Sequence, residues 1–389
     1  MSDFARPETI CQHEGEQRKV LGAVVPPIFQ NTLFVHDAWE SFESAVGFPV
    51  GGPYHYSRVS NPTLEAAERK IAALEGTEDA RLFSSGMAAI AAGIMGSVEA
   101  GSHVVCVDSI YGPTRTLLTD YLQKFGIETV YVVGEDPEDF VRASLPETSL
   151  WLLESPTSII FRLQDLAAVS RLARERGIVT MIDNSYSSPI FQQPHTLGVD
   201  LVAHTVSKYL GGHSDVVGGA LCGSNERMEP IRKHEYELLG SAMSPFNAWL
   251  VNRSMRTLGL RMKAVQRSSG HIASWLADRP EVARIFYVGA PDFGQAELRD
   301  RQMSGTGGLV TFEPATNTRE WCKAFTESLR LFQLGVSWGG HESLVVPLEF
   351  HPMDWPEPRW LVRLYCGLEH GDDHVADLAQ AFDASASLR

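Results

Sequence analysis

From residue 61 onward the chain alternates between two hydrophobic rhythms. Short apolar runs recur at "HVVCVDS" (103–109), "ETVYVV" (128–133), "LWLLES" (150–155), "IVTMIDNS" (178–185), "DLVAHTVS" (200–207) and "GGALCGS" (218–224). Continuous apolar runs of this length predict strands buried on both faces, as in a mostly parallel sheet. Helical windows separate them at 113–126 and 163–176. A further helix opens with Asn61 as cap and Pro62 in its first turn, buries Leu64, Ala67, Ile71 and Leu74, and stops at Gly76. The Ala- and Gly-rich "GMAAIAAGIMGSV" (86–98) is too short to span a membrane and reads as a buried helix. The pattern predicts an α/β domain over 61–245, and ligands of such sheets sit beyond the carboxyl ends of the strands.

The pattern changes near residue 245. A long helical stretch covers 246–278, followed by strands at "RIFYVG", "GGLVTFEP" and "WLVRLYCGLE" and helices near 318–332 and 372–386. These predict a smaller C-terminal α/β domain over 246–389. Residues 1–60, rich in Gly, Pro and aromatics, read as an extended N-terminal arm. The chain shows no internal repeat and no low-complexity tract.

Composition narrows the function. At 389 residues, 44% apolar and 21% charged, the chain reads as a folded protein of more than one core. Its formal charge of −15 opposes nucleic acid and anionic lipid as partners. The N-terminal residues have neither the apolar core of a secretory signal nor the acid-poor makeup of a transit peptide, so the cytoplasm is expected. Five scattered cysteines without a C-x-x-C pair suggest neither a disulfide frame nor a zinc cluster. His204, His213 and Asp215 lie close in sequence, but their spacing fits no metal-binding pattern, and no metal is expected.

Lysine is scarce, at seven against twenty-six arginines, and most lysines lie in polar windows. Lys208, in "HTVSKYLGGHSD", has no Asp, Glu, Lys or Arg within six positions on either side. An ammonium among apolar and small residues is costly to desolvate, so its pKa falls, as a Schiff-base lysine requires. Pyridoxal phosphate needs such a lysine, an acid to keep its ring nitrogen protonated, and a phosphate cradle. Asp183, at the end of one predicted strand, can be the acid. Ser84, Ser85, Gly86 and Met87, at the start of the 86–98 helix, can be the cradle.

Eight motifs carry a resemblance: "YHYSRVSNPT", "LFSSGMAAI", "DSIYGPTR", "ESPTS", "MIDNSY", "HTVSKYLGGHSD", "SWGGHESL" and "LVRLYCGLE". In this order, over about residues 20–385, they resemble the pyridoxal-phosphate enzymes of cysteine and methionine metabolism. The resemblance implies the fold-type-I aminotransferase-like architecture and homotetramers, dimers of dimers with shared active sites. It implies that Lys208 carries the cofactor and that Asp183 partners its ring nitrogen. Ser85, Gly86, Met87, Thr205 and Ser207 would hold the phosphate. Tyr56 and Arg58 would reach the phosphate of a neighbouring subunit. Tyr111 would stack on the ring and exchange protons with an amino-acid substrate. Arg363, assisted by Ser337, would clamp the substrate carboxylate.

Within the family, Ser158 and Trp338 resemble the bacterial cystathionine β-lyase branch, which implies β-elimination of a cysteine thioether to a thiol, pyruvate and ammonia. Both residues are expected at the substrate pocket. "SRVSNPT" resembles instead the synthase and γ-lyase branch, which works by γ-elimination or γ-replacement. A catalytically silent relative would lack Lys208, Asp183 or Arg363, and all three are present.

Overall fold

The computed structural model describes residues 6–16, 19–46 and 52–386. Two sheets organise these residues. The first has seven strands: β1 (Asp79–Phe83), β2 (His103–Val107), β3 (Glu128–Val132), β4 (Thr148–Glu154), β5 (Val179–Asp183), β6 (Leu201–His204) and β7 (Gly219–Gly223). Their order is β1-β7-β6-β5-β4-β2-β3. β7 runs antiparallel to both of its neighbours, and all other pairings are parallel. Six strands therefore end at one edge. β7 begins at that edge, which brings residues 205–218 back to it.

Local chemistry sets the helices around this sheet. In Pro62–Glu75, Asn61 accepts a hydrogen bond from the Thr63 amide at 2.9 Å, Pro62 opens the first turn, and Gly76 ends the helix at φ +74°. In Gly86–Met95, the Ser85 hydroxyl accepts from the Ala88 amide at 3.1 Å. The predicted 113–126 helix is one run of changing pitch: α-helical over Gly112–Thr116, widened over Leu117–Tyr121, tightened over Leu122–Phe125. The predicted 246–278 helix is two helices, Pro245–Met255 and Leu258–Ala277.

The second sheet, ordered β10-β11-β12-β9-β8, comprises β8 (Val282–Phe286), β9 (Leu309–Pro314), β10 (Gln333–Leu334), β11 (Leu344–Phe350) and β12 (Arg359–Tyr365). Helices Leu258–Ala277, Arg319–Ser328 and Gly371–Ser385 cover it over a core that includes Phe312, Trp321, Phe325 and Phe382. None of the helices among the described residues is long and apolar enough to cross a membrane.

Three elements depart from the sequence reading. β1 carries Arg81 in its middle, which masks its strand character; the side chain pairs with Glu68 at 3.0 Å. β11 contains Pro347, yet β10 pairs only with Leu344 and Val345, so the proline lies where that side of β11 is an open edge. The arm is not wholly extended. Pro7–His13 and Trp39–Ala45 are helices, and the first packs on Pro62–Glu75 and Leu258–Ala277. The arm at 1–5, 17–18 and 47–51 lies outside the described residues.

Candidate active site

The gathered sheet edge carries most of the residues singled out above. Asp183 ends β5, and its side chain accepts the Ser185 amide at 3.0 Å and the Ser185 hydroxyl at 2.6 Å. Ser185 also accepts the Thr205 amide at 2.6 Å, which ties the end of β5 to the turn after β6. That turn winds through 205–212, where the Lys208 amide donates to the Thr205 carbonyl at 3.0 Å. Ser207 accepts the Gly218 amide at 3.0 Å, locking the turn to the approach of β7.

Gly86 faces Thr205 so closely that a Cβ at position 86 would collide with the Thr205 side chain. The N-terminus of the Gly86–Met95 helix and the hydroxyl-bearing turn are therefore neighbours. A helix leaves its first amides without intrahelical partners, so those of Gly86 and Met87 are donors available to an anion.

One lysine is wholly buried and another half-buried, and the contrast between them is informative. Lys70, which the polar window "AERKI" places at the surface, is wholly buried and ion-pairs with Glu16 at 2.8 Å. Lys208 donates from Nζ to the Ser337 hydroxyl at 2.6 Å and lies 5.3 Å from the Trp338 ring centroid. Among the described residues no carboxylate is within ion-pairing distance of Lys208. Burial, and then the Arg363 guanidinium, pull its pKa down to about 8. Arg363 is likewise without a carboxylate partner among the described residues, and it donates to the Val336 carbonyl at 3.1 Å. Burial pulls its pKa down to about 10. Two cations held together, with Asp183 acting on Lys208 only from beyond ion-pairing distance, make a site that favours anions.

The remaining residues fall into two groups. Tyr111 is 42% exposed, and its hydroxyl pKa is raised by burial, then by Asp183 and Glu154. Ser158 donates to Glu154 at 2.6 Å, and Trp338 packs against Tyr209 at 5.3 Å between centroids. Tyr56 and Arg58 stand apart and exposed; Arg58 donates to the Glu237 carbonyl at 2.6 Å, and its guanidinium lies 5.3 Å from the Tyr56 ring. His204 binds Glu75 at 2.5 Å, whereas His213 binds the Gly211 carbonyl at 2.8 Å. Ser337 meets both cations: its carbonyl accepts from Arg363 at 3.4 Å and its hydroxyl from Lys208. Sequence reasoning passed over Glu154 and Glu75, two buried carboxylates among these groups. Glu154 carried a usable signal as the first residue of "ESPTS" at a strand end.

Comparison with known proteins then decides the family. The family model for Cys/Met metabolism PLP-dependent enzymes matches residues 8–383. The chain belongs to that family. It is 35% identical over 371 residues to "Cystathionine gamma-lyase" of Bacillus subtilis, covering 93% of this chain and 95% of the relative. It is 36% identical over 383 residues to "L-methionine gamma-lyase" of Porphyromonas gingivalis, covering 96% of each. The crystal structure of metB from Corynebacterium glutamicum superposes with a TM-score of 0.90 at 32% identity, covering 100% of this chain and 99% of that one. This Cys/Met metabolism enzyme is a fold-type-I α/β protein that uses pyridoxal 5′-phosphate, in a family of lyases and synthases. The residues present fit the cofactor: a lysine of lowered pKa, a half-buried carboxylate at a strand end, and a helix N-terminus beside a hydroxyl-bearing turn. The β-elimination expected from Ser158 and Trp338 finds less support than the γ-carbon alternative, since the relatives named above are γ-lyases.

Proposed function

We propose that the protein is a carbon–sulfur lyase that cleaves the Cγ–S bond of a sulfur amino acid such as cystathionine or methionine. The observation that carries the site is Lys208, half-buried, bonded to a hydroxyl and beside Arg363, with neither cation ion-paired to a carboxylate of the described residues. The choice of the γ-carbon rests on the names of similar proteins: two γ-lyases and the "Probable cystathionine gamma-synthase" of Herpetosiphon aurantiacus, 39% identical over 300 residues.

Each residue has a definable task in this reading. Gly86 and Met87 amides, with the Ser85, Thr205 and Ser207 hydroxyls, hold the cofactor phosphate. Lys208 carries the cofactor, and Asp183, ionised, keeps a proton on its ring nitrogen. Once bound, the cofactor supplies the electron sink that stabilises a carbanion at Cα. Arg363 grips the substrate carboxylate by a two-point contact. The Lys208 amine would take the Cα proton, and at a pKa of about 8 it is suited to give and take protons near neutrality. Tyr111 stacks over the ring and shares the proton traffic. Ser337 orients Nζ, while Trp338 and Ser158 wall the side-chain pocket. γ-Chemistry needs a second proton removed at Cβ before the thiol leaves, and Lys208 is the base placed for both. The net change with cystathionine and water is cysteine, 2-oxobutyrate and ammonia.

Tyr56 and Arg58 lie outside the constellation of their own chain, and residues 20–42 expose Val24, Val35 and Trp39. We infer that this arm serves a neighbouring subunit in a homotetramer, with Arg58 as counter-charge for that subunit's phosphate.

The test is product identification from purified, cofactor-loaded protein given cystathionine or methionine. The account predicts 2-oxobutyrate. Pyruvate with homocysteine would overturn it in favour of β-elimination, the reading that the resemblance at Ser158 and Trp338 implies. A requirement for a second nucleophile would overturn it in favour of γ-replacement.

A further inference from the structure

We propose that Glu154 is a positioning residue that stays protonated at neutral pH, so that Asp183 alone carries the charge of the pair while Glu154 fixes Tyr111 and Ser158. The inference rests on the assignment of Asp183 and Tyr111 to the cofactor site above.

The geometry begins with register. β4 and β5 are parallel neighbours, and Glu154 pairs with Asp183. Residues so paired point to the same face of a sheet on strands about 4.8 Å apart. Both side chains sit at the functional edge, and Glu154 is 7% exposed. Two adjacent carboxyls, one buried and one half-buried, do not both ionise readily, because each charge disfavours the other.

The surroundings select which one keeps its proton. Burial raises the Asp183 carboxyl as well, but two hydrogen bonds from Ser185 and the charges of His204 and Lys208 oppose that rise, support that Glu154 lacks from any cation. Among the described residues Glu154 has no Lys, Arg or His within ion-pairing distance. The ionisable groups facing it are Asp183 on β5, Tyr111 after β2 and Cys106 on β2, none of which is a cation. Burial, then the charge of Asp183, push Glu154 up to about 8. The Ser158 and Tyr111 donors oppose that rise without cancelling it.

Glu154 is also a hub. The Tyr111 amide donates to Oε2 at 2.8 Å, and Ser158 Oγ lies 2.6 Å from Oε1. The segments after β2 and β4 are thus tied both by this carboxyl and directly, since the Ser158 amide donates to the Ser109 carbonyl at 3.0 Å. The joined loop is strained. Ile159 and Phe161 hold φ of +70° and +58°, a left-handed backbone that is costly for a β-branched or bulky residue, and such strain clusters where geometry is functional. A neutral carboxyl can anchor Tyr111 over the ring without adding a second negative charge beside Asp183.

Glu154→Gln keeps the shape and cannot ionise. The first measurement is an infrared difference spectrum, wild type minus Glu154→Gln, on cofactor-free protein at pH 7. The difference isolates Glu154 from Glu68, whose buried carboxyl is also raised, to about 7. A neutral-acid carbonyl band that fades as pH rises through about 8 is expected. Its absence at pH 7 would overturn the proposal.

The second measurement titrates the visible absorbance of the cofactor-loaded proteins. The two curves should superimpose below about pH 7 and separate above about pH 8, where only wild type gains a charge. Curves that superimpose throughout would show that the proton does not act on the site and would also overturn it. Neither readout requires turnover, so failure of the γ-lyase reading would leave both intact.

Discussion

Two lysines with opposite surroundings frame the residue scale. Lys70 is ion-paired with Glu16, whereas half-buried Lys208 donates to a hydroxyl and has no ion-paired carboxylate among the described residues, and a desolvated ammonium without an ion pair costs stability. Its folded pKa, about 8, lies below the unfolded value, so between these values the unfolded chain binds more protons and stability rises with pH. Cofactor-free Lys208→Met should therefore be more stable than wild type at pH 7, and the gain should vanish by about pH 10.5; thermal midpoints across that range check it. In the loaded enzyme Lys208→Ala should lose several orders of magnitude in turnover, because carrier and proton acceptor go together. Arg363→Ala removes a charged hydrogen-bond partner and should raise KM roughly 10- to 100-fold, from about 1.5–3 kcal/mol of lost binding, measured by steady-state kinetics. Lys208 was legible because its sequence neighbours are uncharged, while the charged groups that act on it in space, Arg363 and Asp183, come from β12 and β5. Glu154 was not, because its meaning comes from Asp183, brought beside it only by strand register.

At the scale of elements, the site depends on close backbone approaches more than on any helix. Gly339 holds φ +90°, and a Cβ there would lie 2.8 Å from the backbone of Lys208. Gly339→Ala should push the Ser337–Trp338 segment off the lysine turn and reduce kcat at least about tenfold, while the two sheets persist. Rapid-mixing kinetics and circular dichroism together check that outcome. Six strands of the first sheet were readable as apolar runs, since strands buried on both faces leave a continuous signal. β1 and β11 were not, because Arg81 is neutralised by Glu68 and Pro347 is tolerated on a partly open edge, two facts set by tertiary partners. The break between Pro245–Met255 and Leu258–Ala277 falls at Arg256–Thr257, beside a single punctuating residue, Gly259, which an uninterrupted helix also tolerates.

The whole molecule poses the question of completeness. Gly86, Met87, Thr205 and Ser207 offer neutral donors, yet a phosphate in a partly dry site also needs a cation, and Arg58 of the same chain is engaged elsewhere, on the Glu237 carbonyl. Arg58→Ala should weaken cofactor affinity by about 1.5–3 kcal/mol with the fold intact, and diluting wild type to monomers should cause a similar loss. Affinity and solution mass measured side by side decide this; a monomer that binds as tightly as the oligomer would show that the arm completes no site. The cofactor-bearing lysine remains the claim on which the rest depends. The most direct measurement is borohydride reduction of the purified, cofactor-loaded protein, followed by peptide mass mapping. The account predicts bleaching of the visible absorbance and one stable cofactor adduct on the peptide containing Lys208. An adduct on another lysine, or a protein that binds the cofactor and yields no adduct, would contradict it.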